Sequence, residues 1–250
     1  MPQDYAYEKR VRAEIRIWER ELLKPPNWLQ ETSSQFSKTL NHKIPEKVHD
    51  MITQAVKGMI ETALFGASYM PGRPVNRELS LRHRDREAET CIKTYQKTAS
   101  AEGAFTGFGG LLLGAVDFPA LLAIKMKMLF ELAHIYGYDM SRQEEKMYAL
   151  HVFQLTFSQP SHRQTVMTRM KNWEVSISGG KTEGEADLSQ LDWRKLQQEY
   201  RDYIDFRKML QLIPGIGAAV GAWVNYKLLE ELGQTARNCY RRRDLGISAS

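Results

Sequence analysis

The sequence predicts an all-α protein, and three observations support that fold class. Apolar residues recur at helical spacing through most of the 250 residues. Clusters of proline and glycine separate these segments, for example at Pro25-Pro26 and over residues 70–74. No stretch alternates polar and apolar residues between hairpin turns of the Asn-Gly kind. We therefore expect a multi-helix bundle, organised around two Gly-rich apolar helical hairpins.

Length and charge limit the possible functions. With 42% hydrophobic and 26% charged residues, the chain has the composition of an ordinary globular protein that buries a sizeable core. Its net charge is +5 and its pI is near 9.1, well short of the concentrated positive charge of a nucleic-acid-binding protein. We expect no nucleic-acid partner. A mildly basic balance suits an anionic membrane surface or an acidic partner.

The N-terminus and the cysteines indicate the compartment. The first residues, MPQDYAYEKRVRAE, contain no apolar stretch of a secretory signal. Cys91 and Cys239 lack a C-x-x-C spacing, so we expect neither a disulfide nor a zinc site. The sequence therefore favours a cytoplasmic protein, with any membrane contact at the inner face of the cell membrane.

Amphipathic helices are predicted in residues 1–70. The first runs for about 20 residues and ends at Pro25-Pro26, and its charged face is expected to be solvated. Its apolar residues step by four or three: Tyr7, Val11, Ile15, Trp18 and Leu22. Another helix begins near Pro45 and carries an apolar stripe from Val48 to Leu64. We expect these helices to form the N-terminal part of one domain that covers residues 1–250.

The segment RELSLRHRDREAE, residues 77–89, alternates charges densely. One interpretation is a solvated helix with internal ion pairs, because the interleaved acids neutralise the arginines. The other is a patch that binds phosphate or lipid headgroups, built from Arg73, Arg77, Arg82, Arg84 and Arg86. The helix continues through Ala88, Ile92, Tyr95 and Ala99.

Glycines mark the centre of the chain, residues 80–160. Four of them recur at steps of four, three and four, which places them on one helix face: Gly103, Gly107, Gly110 and Gly114. Each costs roughly 1 kcal/mol in a helix interior relative to alanine, and close packing of a second helix is the usual compensation. Gly217 and Gly221 form a second such pair. We predict that the two Gly-faced segments pack on each other.

Polar residues interrupt both Gly-rich segments. Asp117 is predicted to be the N-cap of a helix beginning at Phe118, with Pro119 in its first turn; the alternative is a buried acid that binds a cation or an arginine. Asn225 is predicted to hydrogen-bond across to the other Gly-faced helix. Because such residues break both segments, a buried or surface-inserting hairpin is favoured over a membrane span.

Further helices follow Gly137. Ser141 and Glu144 match a capping box that starts a helix, and Pro160 opens another that ends near Trp173. Residues 176–189 are expected to be a loop, and residues 190–243 the C-terminal helices. The last helix is predicted from Ile216 to about residue 237, before a basic tail that contacts an anionic surface. The tail residues are Arg241, Arg242 and Arg243.

Known catalytic motifs are missing from the sequence. It contains no H-E-x-x-H, no G-x-S-x-G and no G-x-x-x-x-G-K-[ST], and no two of its six histidines are spaced by four residues for metal binding. We predict no catalytic residue, no metal site and no cofactor. Asp117 and Asp139 remain the candidate polar or ligand-binding residues.

Several segments together resemble the EcsC family. They are YEKRVRAEIRIWERE and KIPEKVHDMI, the Gly-rich run with Asp117, Pro119 and Leu121, the Tyr136-Gly137-Tyr138-Asp139 turn, IPGIGAAVGAWVN and the end from Ala236 to Arg243. The family is named after the third gene of a bacterial operon whose other two products form an ABC exporter. The resemblance implies a bacterial accessory protein near a transporter or membrane, and it carries over no catalytic residues.

Two hypotheses on function follow. The first is a non-enzymatic, membrane-associated accessory or regulatory protein, linked to an ABC exporter or to protein secretion, whose partner is a membrane surface or a membrane protein. The second is a hydrolase acting on peptides or lipids, with a site assembled from dispersed residues. Its candidate groups are Cys91, Asp117, His134 and Asp139.

Overall fold

The computed structural model describes residues 2–24, 54, 58, 78–106, 118–158, 160–178 and 217–247. Its seven helices in these ranges are α1 (Pro2–Leu22), α2 (Leu81–Thr106), α3 (Phe118–Ile135), α4 (Gln143–Phe157), α5 (Pro160–Lys171), α6 (Trp173–Ser178) and α7 (Gly217–Asp244). No strand occurs in the described residues. The predicted all-α fold class is confirmed.

Helices α2, α3 and α7 form a central layer. The start of α2 contacts the ends of α3 and α7, because Asp85 bonds both Tyr136 and Arg241. Farther along α2, Tyr95 bonds Glu131 of α3. Helix α2 is therefore antiparallel to both neighbours, and the first turns of α3 and α7 lie at the same end of the layer as the last turn of α2.

A glycine in α7 allows close contact with α2. A Cβ atom built on Gly233 would lie 2.6 Å from Cγ1 of Ile92. The sequence predicts such contacts at other glycines. Gly103 lies in α2, and Gly217 and Gly221 lie in α7. Gly107, Gly110, Gly114 and Asp117 are outside the described residues, so the packing of the two Gly-faced segments and the Asp117 cap stay predictions.

The other helices pack around this layer. Helix α1 places Val11 and Ile15 in the core, as its predicted stripe requires, and ends before Pro25. Helix α4 is buried from Glu145 to Phe157, so it runs through the core. Helix α5 begins at Pro160, as predicted, and a separate short helix follows from Trp173.

Two helix boundaries differ from the prediction. The capping box is wrong: α4 has Arg142 at its N-cap without a side-chain cap, and the backbone N–H of Ser141 donates to the Asp139 carboxylate at 2.9 Å. Helix α7 continues to Asp244, so the expected basic tail is its last turn. Three consecutive cations at a helix C-terminus are compatible with the helix, because they complement its dipole.

Candidate functional site

The last turn of α7 gathers much of the buried charge of the described structure. Successive helix residues point about 100° apart, so neighbours in sequence contact different helices. We call this turn and its buried partners the arginine hub; its members on α7 are Arg241, Arg242, Arg243 and Asp244. Each of the four makes an ion pair with another helix.

Asp85 is the innermost acid of the hub. Its carboxylate accepts hydrogen bonds from Arg241 Nε at 2.7 Å, from the Tyr136 hydroxyl at 2.5 Å and from the Tyr7 hydroxyl at 2.6 Å. The Asp85 and Arg241 side chains are only 4% and 5% exposed. Burial and the charge of Asp85 raise the pKa of Tyr136 well above its ordinary value, so this hydroxyl stays a donor. The arrangement neutralises a buried charge with three donors.

Two arginines of the hub hold α1. Arg241 Nη1 lies 3.2 Å from a carboxylate oxygen of Glu14, and Arg242 Nε donates to Glu19 at 2.9 Å. Lys171 of α5 reaches the same Glu19 at 3.0 Å. In the other direction, Arg12 donates to the backbone carbonyl of Leu245 at 2.8 Å. These contacts fix the N-terminal helix across the end of α7.

Arg243 is enclosed between two aromatic rings. Its guanidinium carbon lies 4.0 Å from the ring centre of Tyr138 and 4.3 Å from that of Tyr148. It forms two hydrogen bonds to Glu145, at 2.6 and 3.0 Å, and one to Glu174 at 2.7 Å. Burial lowers the pKa of Arg243, but the bond to Glu145 and its other neighbours outweigh that effect and the net shift is upward. Arg243 therefore joins α4, α6 and α7 as a permanent cation.

Arg84 completes the hub from α2. It binds Asp244 with two hydrogen bonds, at 2.7 and 2.9 Å, and donates to the backbone carbonyl of Tyr136 at 3.0 Å. The sequence contains a signal for this role. Arg84 and Asp85 occupy the inward positions of the helical stripe that Leu81, Ala88 and Ile92 define. Neither predicted role of this segment, a solvated helix or a headgroup patch, includes buried ion pairs of Arg84 and Asp85.

The predicted surface role of the C-terminal arginines does not agree with this geometry. The side chains of Arg241, Arg242 and Arg243 are between 3% and 5% exposed, and each is paired with an acid. The reason is the length of α7, which carries them into the helix packing instead of a tail. Charges already neutralised by buried acids attract an anionic surface weakly.

The other candidate residues lie in separate settings. Asp139 is exposed in the turn before α4, where the backbone hydrogen bond from Ser141 holds its pKa below the ordinary value. Asn225 is buried in α7, as a helix-contact role requires. Cys91 and His134 are buried in α2 and α3.

In the part of the chain that the structure describes, neither a reactive thiol nor a metal-binding cluster is found. Cys91 and Cys239 are buried free thiols, and burial raises the pKa of Cys239, which disfavours the reactive thiolate. No group of three or more His, Cys, Asp or Glu side chains is placed to hold a metal ion among the described residues.

Exposed aromatic side chains mark the opposite end of α7. Trp223 is 53% exposed and Tyr226 is 38% exposed. They are three residues apart, so they share one side of the helix with Lys227. The Gly-rich segments join the described helices at this end, after α2, before α3 and before α7. None of the described helices is long and apolar enough to cross a membrane.

A family model and a known bacterial protein match this chain over most of its length. The model of the EcsC protein family matches residues 9–245. Protein EcsC of Bacillus subtilis (strain 168) is 41% identical over 93% of this chain and 94% of its own. The uncharacterized protein YdbA of the same organism is 29% identical over 64% of this chain and 57% of its own. No solved structure matches. The chain belongs to the EcsC family.

Proposed function

We propose that this protein is a non-enzymatic accessory or regulatory protein that binds the cytoplasmic surface of the cell membrane reversibly. The observation that carries the proposal is the exposure of Trp223 and Tyr226 where the Gly-rich segments join the helix layer. Tryptophan and tyrosine favour the membrane–water interface because each has an apolar ring and a polar group.

The sequence next to these rings supports shallow insertion. The apolar run IPGIGAAVG, residues 213–221, ends two residues before Trp223, and GFGGLLLGAV, residues 107–116, lies in the sequence between α2 and α3. Insertion to the bilayer centre is disfavoured, because the Asp117 charge costs about 2.5–3.5 kcal/mol there on an insertion scale. A segment that lies in the headgroup region avoids most of that cost.

The buried polar groups support a non-enzymatic role. Asp85, Glu145, Arg241 and Arg243 hydrogen-bond to one another or to tyrosines in the core, so their charges stabilise helix contacts. No observation on the described residues favours the hydrolase hypothesis. The link to an ABC exporter rests on the family resemblance alone, and we propose a membrane protein of that class as the partner.

Flotation with liposomes tests the membrane proposal. Wild-type protein is expected to float with vesicles of phosphatidylglycerol and phosphatidylcholine and to be released by high salt or carbonate. The double variant Trp223→Ala/Tyr226→Ala should bind about tenfold more weakly, because burying each ring at the interface contributes on the order of 1 kcal/mol or less to the binding free energy. Val175→Ala, which removes another exposed apolar side chain, is the control and should bind like wild type.

A spectroscopic measurement gives an independent reading. The fluorescence of Trp223 should shift to the blue when vesicles are added, and Trp223→Phe should remove that part of the shift. If wild-type protein fails to float at low salt, the membrane proposal is wrong. Binding that survives carbonate and needs detergent for release would indicate integral insertion instead.

A further inference from the structure

The outward face of α1 carries a stripe of exposed cations. Lys9, Arg16 and Arg20 are exposed. At 100° per residue they fall within an arc of about 40°, and they extend over about 17 Å of helix. The structure gives none of the three an acidic partner among the described residues, whereas Arg10 pairs with Glu14 at 3.3 Å. We call these three residues the α1 stripe.

Exposed apolar side chains flank the α1 stripe. Tyr5 is 73% exposed and Ile17 is 54% exposed. The opposite face of α1 is buried at Val11 and Ile15. A row of cations flanked by an aromatic and an aliphatic side chain suits a lipid interface, where the charges meet headgroups and the apolar groups enter between them.

The α1 stripe and the exposed rings of α7 face the same side of the molecule. Arg241 follows Trp223 by 18 residues, which is five full turns, so both lie on one side of α7. At Arg241 this side packs against α1 through Glu14 and against α2 through Asp85, while at Trp223 it is about half exposed. Since α1 turns its buried face to α7, the α1 stripe points away from α7 in the direction of the exposed rings.

We infer that the α1 stripe binds the headgroups of an anionic bilayer. The inference rests on the proposed function and adds its electrostatic part: the stripe attracts the protein to the surface, and the rings of Trp223 and Tyr226 insert. A bilayer fits better than an acidic protein, because one plane can meet both features on the same side of the molecule.

Quantitative binding to vesicles of stated charge tests the inference. The test variant replaces the three cations of the stripe: Lys9→Gln, Arg16→Gln and Arg20→Gln. The control variant removes the same charge from exposed positions of α2, α3 and α5: Arg86→Gln, Lys127→Gln and Arg169→Gln. Circular dichroism and unfolding midpoints establish that both variants are folded.

On vesicles with 30% phosphatidylglycerol at low salt, the stripe variant should bind on the order of 100-fold more weakly than wild type, because each cation near an anionic surface contributes about fivefold. Its binding should also depend less on salt. The control should lose tenfold or less, since its net charge falls equally but its cations lie elsewhere.

The outcomes separate this inference from the proposed function. Equal binding by the stripe variant and the control overturns the inference and leaves the membrane proposal standing. Equal binding of wild type to neutral and anionic vesicles also overturns it. Failure of wild type to bind any vesicle removes both proposals. If wild type binds an acidic protein, the stripe variant does not, and neither binds vesicles, the partner is a protein and the bilayer is wrong.

Discussion

The two ends of α7 differ in which side chains they bury: charged side chains are buried at one end, and aromatic side chains are exposed at the other. At the C-terminal end, four consecutive charged residues are paired inside the molecule with acids and an arginine from α1, α2, α4 and α6. At the N-terminal end, about 27 Å away along the helix, the Trp223 and Tyr226 side chains are partly exposed to solvent. Charge is buried at the end where a solvated basic tail was expected, and aromatic side chains are exposed at the other end. The hub end holds the buried ion pairs, and our proposal places the inserting rings at the aromatic end.

The largest expected effect comes from removing the central acid of the hub. Asp85→Ala leaves the Arg241 guanidinium buried beside two tyrosine hydroxyls that lose their acceptor. Removing one partner of a buried ion pair costs about 3–5 kcal/mol. We expect urea unfolding to show a loss of that size in the free energy of unfolding.

Asp139→Ala is the matched control, because Asp139 is an exposed acid whose hydrogen bonds are local, to Ser141. It should change the free energy of unfolding by at most about 1 kcal/mol. If Asp85→Ala costs no more than the control, the hub does not hold the helices together and the comparison of the two ends fails. Asp85→Asn should fall between them, since the amide keeps acceptor capacity but loses the charge.

Much of the fold was predictable from local patterns, and the hub was not. The apolar residues from Tyr7 to Leu22 predict α1 through their spacing, and Pro160 predicts the start of α5 through its backbone geometry. Both signals are local in the sequence. Asp85 and Arg241 are 156 residues apart, and nothing in either segment encodes that they meet. A run of three arginines near a C-terminus resembles a solvated tail, and only the packing of α1 and α4 around it buries it.

Gly233 illustrates the same limit at a single residue. The prediction concentrated on glycines at regular helical spacing, and Gly233 has no such neighbours in the sequence. Its role depends on Ile92, which lies on another helix and contacts it. The exposed aromatic pair was missed for a related reason, because AWVNYKLL reads equally well as a buried helix until the neighbouring helices are placed.

A second test uses His151, a buried group that, unlike those in the hub, has no acidic partner among the residues that the structure describes. His151 of α4 packs edge-on to Trp173, with ring centres 5.4 Å apart, and its Nδ1 lies 3.4 Å from the side-chain oxygen of Gln154. Burial, helped by the charge of Arg169, lowers the pKa of His151 to about 4 from its ordinary 6.5. The unfolded chain therefore protonates this histidine at a higher pH than the folded protein does.

The sign of the stability change follows directly. Between pH 6.5 and about pH 4 the unfolded state holds the extra proton, so the free energy of unfolding decreases as the pH falls. The full effect is on the order of 3 kcal/mol, with no contribution from this group above pH 7. His151→Gln should flatten this part of the pH profile in urea titrations, while His83→Gln, at an exposed position beside Glu87, should change it by at most about 1 kcal/mol. Parallel profiles for wild type and His151→Gln would contradict the prediction.

The smallest effect concerns the middle of α7, which fixes the distance between its two ends. Gly233→Ala gains about 1 kcal/mol of helix propensity, but its Cβ would lie 2.6 Å from Ile92 Cγ1 and 3.0 Å from its Cγ2. Both atoms belong to a β-branched side chain that is stiff in a helix, so overpacking of 1–3 kcal/mol outweighs the gain and a net loss of about 1 kcal/mol is expected. Ile92→Ala removes the obstacle, and in that background Gly233→Ala should stabilise the protein. A double-mutant cycle by urea unfolding measures this change of sign; additive effects would mean that α2 and α7 are not in tight contact at this point, and that the two ends of α7 are positioned by the hub alone.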